Sequence, residues 1–225
     1  GPGGQYVMAQ GRIAQLLAAG GKMAEARQHL QAAARETPAE RAQYALLESQ
    51  LLRDGNRNQD AFDVLDEALR AVPENPELLY ESALMAERVG RLEAMEGRLR
   101  KLIALKPDHA HAYNALGYSL ADRKLRLDEA EALVRKGLAL TPGDPFIIDS
   151  LGWVLYRRGD LGGALEQLQK AFGLRADPEI AAHLGEVLWS LGQRERALAI
   201  WREGLRINQD KIGRASCRER VSSPV

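Results

Sequence analysis

The chain has 225 residues, of which 45% are hydrophobic, and its 31 basic side chains balance 31 acidic ones. Nucleic acids and anionic membranes are bound through basic stripes, so this balance argues against either as the main partner. Alanine and leucine are abundant and only three phenylalanines are present, a composition that favours helices. No apolar run approaches the length of about 18 residues that a transmembrane helix needs.

Three residue ladders run along the chain with a shared period of 33 to 35 residues. A Leu-Gly pair recurs at Gly117, Gly152 and Gly185. Alanines recur at the same spacing, or twice it, at Ala26, Ala61, Ala130, Ala164 and Ala197. Prolines do so at Pro38, Pro73, Pro107 and Pro142. One period shared by three ladders predicts one pair of helices repeated about six times, which gives a long surface and no single catalytic cleft.

Each repeat is predicted to be two helices joined by a short turn. The clearest repeat begins at Pro145, because proline costs little in the first turn of a helix. Its turn falls at Gly159, where glycine suits the left-handed position that ends a helix. The predicted repeats are residues 7–41, 42–75, 76–109, 110–144, 145–177 and 178–207. We expect these repeats to form one continuous domain.

The two ends of the chain depart from the repeat. Residues 1–6 begin with Gly-Pro and are expected to be the remnant of a cleaved purification tag. Residues 208–225 break the periodicity and are expected to be mostly vector-like sequence. They include Cys217, the single cysteine, which cannot form an internal disulfide. The natural protein is therefore expected to be longer, with any targeting signal outside this sequence.

The ladders resemble those of the tetratricopeptide repeat (TPR). The resemblance covers about residues 7–207 and is weaker in the third repeat, where Ser82-Ala83 replaces Leu-Gly and Met95 replaces the small residue. It implies an all-α fold, a TPR-type α-solenoid that winds as a right-handed superhelix of about six helical hairpins. The first helix of each hairpin would line a concave groove.

The resemblance also implies which side chains face that groove. The groove residues implied in this way, with Arg157 at the margin, are Tyr80, Leu84, His111, Asn114, Tyr118, Phe146, Asp149, Trp153, Tyr156, Arg157, Glu186 and Trp189. Aromatic residues gather in the last three repeats, and tryptophan and tyrosine are enriched at the centres of protein interfaces. We therefore predict that the groove binds a segment of a partner protein. The sequence leaves a second interpretation open, in which Tyr118, Trp153 and Tyr156 only fill gaps between neighbouring first helices.

The second half of the chain resembles proteobacterial TPR outer-membrane lipoproteins. The resembling stretches are HAYNALGY from His111, DSLGWVLY from Asp149 and HLGEVLW from His183. Such proteins include adaptors that deliver cell-wall hydrolases to a periplasmic carboxy-terminal processing protease and help to activate it. The resemblance implies a periplasmic location, with the full-length protein anchored in the outer membrane and no direct membrane insertion by this part of it.

Two alternative functions stay open on the sequence. The last helix carries Leu198, Trp201 and Leu205 with no polar cap after it, which would suit a scaffold that self-associates. The chain could also be the interaction region of a larger enzyme. Within the sequence itself there is no G-x-S-x-G and no phosphate-binding glycine loop, and the two histidines of residues 108–111 have no further ligand at a supporting spacing. We therefore expect no catalysis, no cofactor and no metal site.

Overall fold

The computed structural model describes residues 2–33 and 37–221, with the backbone alone at residues 2, 3, 38 and 210–221. Twelve α-helices and no strand occur in these ranges. The helices are α1 (Pro2–Ala19), α2 (Met23–Ala33), α3 (Pro38–Asp54), α4 (Asn58–Ala71), α5 (Pro76–Arg88), α6 (Leu92–Leu105), α7 (Ala110–Asp122), α8 (Leu127–Leu140), α9 (Pro145–Arg158), α10 (Leu161–Leu174), α11 (Pro178–Ser190) and α12 (Arg194–Val221).

The chain divides into two compact units, unit 1 (Gly1–Pro107) and unit 2 (Asp108–Val225). Unit 1 contains α1 to α6 and unit 2 contains α7 to α12. Within each unit, odd-numbered and following even-numbered helices pair as hairpins, and each hairpin packs against the next one. The predicted all-α fold of repeated helical hairpins is confirmed. The prediction that all six hairpins form one continuous domain stays a prediction.

Polar caps and prolines set where several first helices begin. The Asn75 side chain accepts a hydrogen bond from the backbone N–H of Leu78 at 3.0 Å, immediately before Pro76. Asp144 accepts one from the N–H of Phe146 at 2.8 Å, and Asp177 caps α11 in the same way. These bonds satisfy N–H groups that have no partner inside the helix. Helix α9 then ends at Gly159, whose φ of 90° is the left-handed conformation that glycine adopts without strain.

Three helix boundaries differ from the sequence-based expectation. Helix α1 begins at Pro2 and so includes residues assigned to the tag remnant. Helix α3 begins at Pro38, earlier than the expected residue 42, because the Thr37 hydroxyl caps it by accepting from the N–H of Glu40 at 3.2 Å. Helix α12 continues to Val221, and residues 208–221 contain no proline that would interrupt it. The side chain of Cys217 lies outside the described residues.

The glycines of the Leu-Gly pairs lie where the two helices of a hairpin meet. A Cβ atom added at Gly117 would stand 2.6 Å from Val134 Cγ2 and 2.8 Å from the backbone oxygen of Ala130. Added at Gly152, it would stand 2.6 Å from Leu168 Cγ. Carbon atoms in contact normally stay about 3.5 Å or more apart, so a methyl group does not fit at either site. The hypothesis that these glycines permit close helix approach is confirmed.

Candidate protein-binding site

The structure places the predicted groove residues in both units. Tyr80 and Leu84 lie on α5 of unit 1, and both are half-buried. The ten others lie on α7, α9 and α11 of unit 2. The candidate site is therefore described within unit 2, where the exposed and buried members of the set separate clearly.

A buried polar cluster forms the middle of this site. Asp149, Trp153 and His183 are only 4%, 8% and 8% exposed. His183 Nδ1 lies 3.0 Å from both carboxylate oxygens of Asp149, and the His183 ring stacks on Trp153 with 4.3 Å between centroids. An ionised carboxylate only accepts hydrogen bonds, so Nδ1 donates. Neutral His183 can then accept at Nε2 from the Tyr118 hydroxyl, 3.2 Å away, which links α7, α9 and α11 through one side chain.

Asp149 and Trp153 therefore do not line an open groove, which corrects the sequence-based placement. The resemblance assigns groove residues within each repeat and does not account for the next first helix, whose His183 side chain covers both residues. In this structure Trp153 fills the gap between neighbouring first helices, as the second interpretation of the sequence had it. Trp153 and Tyr156 of α9 are thus both in contact with side chains of α11.

Asp122 and Arg157 also contact the Trp153 ring. The indole N–H of Trp153 donates to Asp122 Oδ1 at 3.2 Å. The Arg157 guanidinium lies 4.9 Å from the centroid of the same ring and donates to the Asp122 backbone oxygen. A cation over an indole face is attracted by the ring quadrupole. Arg157, predicted at the margin of the site, thus serves mainly to hold Trp153 against the end of α7.

The accessible aromatic surface lies beside this cluster, on α9, α11 and the start of α12. We call it the aromatic patch and define it by Tyr156, Glu186, Trp189 and Arg194. The Tyr156 hydroxyl donates to Glu186 Oε1 at 3.2 Å. Trp189 is 44% exposed and packs beside the Trp201 ring at 5.7 Å, while Arg194 lies 5.2 Å from the Trp189 centroid. The patch therefore offers a partly exposed tryptophan with a carboxylate near it and a guanidinium over its ring.

The remaining predicted residues lie toward the first turns of α7 and α9. Phe146 is 38% exposed, and the Arg175 guanidinium lies 5.0 Å from its ring centroid. His111 is exposed, with Nε2 3.9 Å from the Asp144 carboxylate. Asn114 is half-buried. Of this group, Phe146 is the one with an accessible apolar surface.

His183 is the functional-site residue that the groove prediction missed. It lies 34 positions after Asp149, close to one repeat period, so the two residues occupy almost equivalent places on successive first helices. An acidic residue and a histidine one period apart on first helices are the signal that could have revealed the pair. The groove assignment considers positions within one repeat and therefore does not include this pair.

The histidines that could suggest catalysis or metal binding make structural contacts in unit 2. On the side away from Asp149, the His183 ring contacts the Tyr118 hydroxyl and not a serine or cysteine that could act as a nucleophile. Among the residues that the structure describes, no three His, Cys, Asp or Glu side chains come close enough together to hold a metal ion. His109 caps α7 by accepting from the N–H of Ala112 at 3.1 Å. Across the described ranges no helix has the length and hydropathy needed to cross a membrane.

Residues 50–213 match the family model of the tetratricopeptide repeat. The chain belongs to the TPR family. It is 43% identical over 186 residues to the TPR repeat-containing protein PA4667 of Pseudomonas aeruginosa, an alignment that covers 83% of this chain and 32% of that protein. This TPR chain thus spans 32% of the length of the curated relative it matches.

Solved TPR structures share the fold. A thermophilic TPR protein of Thermus thermophilus, TTC0263, aligns with a TM-score of 0.67 at 24% identity, covering 73% of this chain and 90% of that one. A TPR protein of Parabacteroides merdae aligns at 0.70 and 18% identity, covering 87% and 77%. YrrB, described as a TPR protein with an unusual peptide-binding site, aligns at 0.59 and 22%, covering 79% and 90%. At these identities the likeness concerns the fold alone.

Proposed function

We propose that this TPR protein is a non-catalytic adaptor that binds a segment of a partner protein on the aromatic patch of unit 2. The observation that carries the proposal is Trp189, a large aromatic side chain 44% exposed on a first helix. The TPR fold is that of a protein-interaction module, and tryptophan, tyrosine and arginine are the residues most enriched at interface hot spots. The patch combines all three.

The charges of the patch define the kind of segment it would take. Glu186 lies at one edge, so a free C-terminal carboxylate would be repelled there. A segment with an apolar side chain for Trp189 and a donor for Glu186 fits better, because the Glu186 carboxylate can accept further hydrogen bonds beside the one from Tyr156. The description of YrrB as a peptide-binding TPR protein supports peptide capture as a use of this fold.

The partner we propose is a periplasmic carboxy-terminal processing protease, to which the protein would deliver cell-wall hydrolases and which it would help to activate. Support comes from the three Leu-Gly stretches in the second half of the chain, which resemble those of proteobacterial adaptor lipoproteins. The relative from Pseudomonas aeruginosa, a proteobacterium, is consistent with that origin. The full-length protein would then be periplasmic and anchored in the outer membrane.

Reconstitution with purified components tests this function. The chain would be mixed with the carboxy-terminal processing protease of the same organism, in a form lacking its catalytic residue, and with a peptidoglycan hydrolase. We expect it to co-elute with each protein and with both together, and to accelerate hydrolase cleavage by the active protease. Lys170→Ala, an exposed change on α10, serves as the control and should behave as the parent. Folded protein that binds neither component would overturn the protease role.

A further inference from the structure

Helix α3 buries a charged side chain at a place where three other first helices bury a leucine. Glu48 lies one repeat period before Ser82 in the Leu-Gly ladder, and the later members of that ladder are Leu116, Leu151 and Leu184. Those three leucines are at most 3% exposed, and Glu48 is 5% exposed. Burying a carboxylate is costly unless it is paired, so a glutamate at this core position needs a physical reason.

Two side chains of α2 pair with one oxygen of this carboxylate. Arg27 Nε donates to Glu48 Oε1 at 2.7 Å, and Gln31 Nε2 donates to the same oxygen at 3.0 Å. The other oxygen, Oε2, accepts no hydrogen bond from any residue that the structure describes. Each oxygen of an ionised carboxylate can accept hydrogen bonds, so Oε2 keeps its capacity for a further donor.

Glu48 lies in the wall of a cleft between α2, α3 and α4 of unit 1, which we call the α3 cleft. Its volume is about 320 Å³. Pockets for small organic ligands begin at about this size. The apolar part of the wall is formed by Leu30, Tyr44, Ala45, Val64 and Ala68. The cleft therefore combines an apolar wall with one buried carboxylate oxygen that lacks a donor.

This combination determines the chemistry of a fitting ligand. Glu48 Oε2 can only accept, so the ligand has to bring a donor. An ammonium group brings three N–H donors and a positive charge, and hydrogen bonds between two ionised groups are stronger than neutral ones. The charged lining residues are Glu48, Glu67 and Arg41, so acidic groups outnumber basic ones there. An alkyl chain on the ammonium group would contact the apolar wall.

We propose that the α3 cleft binds a small alkylammonium compound, with the ammonium group on Glu48 Oε2 and the alkyl chain along the apolar wall. The proposal gives a reason for a carboxylate at a core position, because the leucine of the later repeats would offer the ligand no acceptor. The cleft lies in unit 1. It is therefore a site separate from the aromatic patch of unit 2, and its use goes beyond the adaptor function.

Titration of the isotope-labelled chain with n-hexylammonium, followed by amide NMR shifts, tests the proposal. We expect shifts concentrated in α2, α3 and α4 and a dissociation constant of about 1 mM or tighter, which is reasonable for a ligand of this size. 1-Hexanol has the same chain with a neutral donor and should bind about tenfold or more weakly. Hexanoate, an anion without a donor, should not bind.

Three variants separate the carboxylate from the cavity. Glu48→Leu should stay folded, because apolar replacement of a buried ion pair is often neutral and because Arg27 and Gln31 are exposed enough to regain water. It should bind n-hexylammonium about tenfold or more weakly. Ala68→Leu fills the cleft from α4 with Glu48 in place and should also weaken binding. Ala104→Leu, at an exposed alanine of α6, is the matched control and should bind as the parent does.

Several results would overturn the proposal. One is a parent that does not bind n-hexylammonium at millimolar concentration. Another is equal affinity for 1-hexanol, which would mean that the cleft is an apolar cavity in which Glu48 has no role. Unchanged binding by a folded Glu48→Leu variant, or shifts confined to unit 2, would place the ligand elsewhere.

Discussion

His183 is the side chain on which α7, α9 and α11 of unit 2 meet. It donates to Asp149, faces the Tyr118 hydroxyl and stacks on Trp153, and it is 8% exposed. When one member of a buried hydrogen-bonded pair is removed, the other stays buried and nothing compensates for its lost hydration. Such clusters are therefore sensitive to single substitutions.

Replacing His183 with alanine should destabilise unit 2 by about 3 kcal/mol, because it leaves the Asp149 carboxylate buried without its donor and removes the ring stacked on Trp153. The free energy of unfolding would be measured with urea, followed by tryptophan fluorescence. His111→Ala is the matched control, since His111 is exposed and its distant contact with Asp144 is worth little. Equal stability of the two variants would show that the buried cluster contributes nothing to folding.

The sequence placed the aromatic and acidic side chains on the correct helices and could not assign their burial. Asp149, Trp153 and Tyr118 were predicted correctly to lie on neighbouring first helices. Whether such a side chain faces solvent depends on the size and polarity of the residue opposite, one repeat later, and His183 supplies it here. The aromatic residues left accessible, Trp189 and Phe146, are those with no such neighbour covering them fully.

The two helices of a hairpin approach each other closely where their residues are smallest. The alanine substitution Gly117→Ala should destabilise unit 2 by about 1–3 kcal/mol, because the added methyl group would meet a backbone oxygen of α8 at 2.8 Å. Gly173→Ala on α10 is the matched control, since a Cβ there has nothing within 4 Å. It should be neutral or stabilising by up to about 1 kcal/mol, because alanine favours the helix more than glycine does.

Urea unfolding of both variants, followed by circular dichroism at the helical band, provides the comparison. The two substitutions add the same methyl group to the same residue type, so their difference isolates the close approach of α7 to α8. If both variants gained stability equally, the Leu-Gly glycines would not be required for packing.

At the level of elements, helix boundaries are predicted best from the sequence where a proline or a glycine limits the helix. Pro145 and Gly159 mark the two ends of α9, because a proline at the first turn and a glycine at the left-handed end together define where a helix starts and stops. The starts of α1 and α3 and the end of α12 were predicted less well. A proline at residue 38 can end one repeat or begin the next helix, and the Thr37 cap decides between them only in three dimensions.

The whole chain contains two compact units, and its three tryptophans all lie in unit 2. Tryptophan fluorescence therefore reports unit 2 alone, whereas circular dichroism reports the helices of both. In repeat proteins stability is approximately a sum of local terms, so a change in one unit need not spread to the other.

We expect His183→Ala to separate the two signals. Its fluorescence transition should move to lower urea, while part of the circular dichroism transition stays at the midpoint of the parent. The parent itself provides the reference for both signals. Coincident transitions in the variant, shifted by the same amount, would contradict independent unfolding of unit 1.

Affinity for the proposed partner, a carboxy-terminal processing protease, tests the central claim, that this TPR chain binds protein through the aromatic patch. Isothermal titration calorimetry would compare Trp189→Ala with Leu174→Ala, two variants that each lose an exposed apolar side chain of unit 2. The account predicts that Trp189→Ala weakens binding by roughly 2 kcal/mol, the usual size of a hot spot, and that Leu174→Ala binds as the parent does. Unchanged binding by a folded Trp189→Ala variant would contradict it.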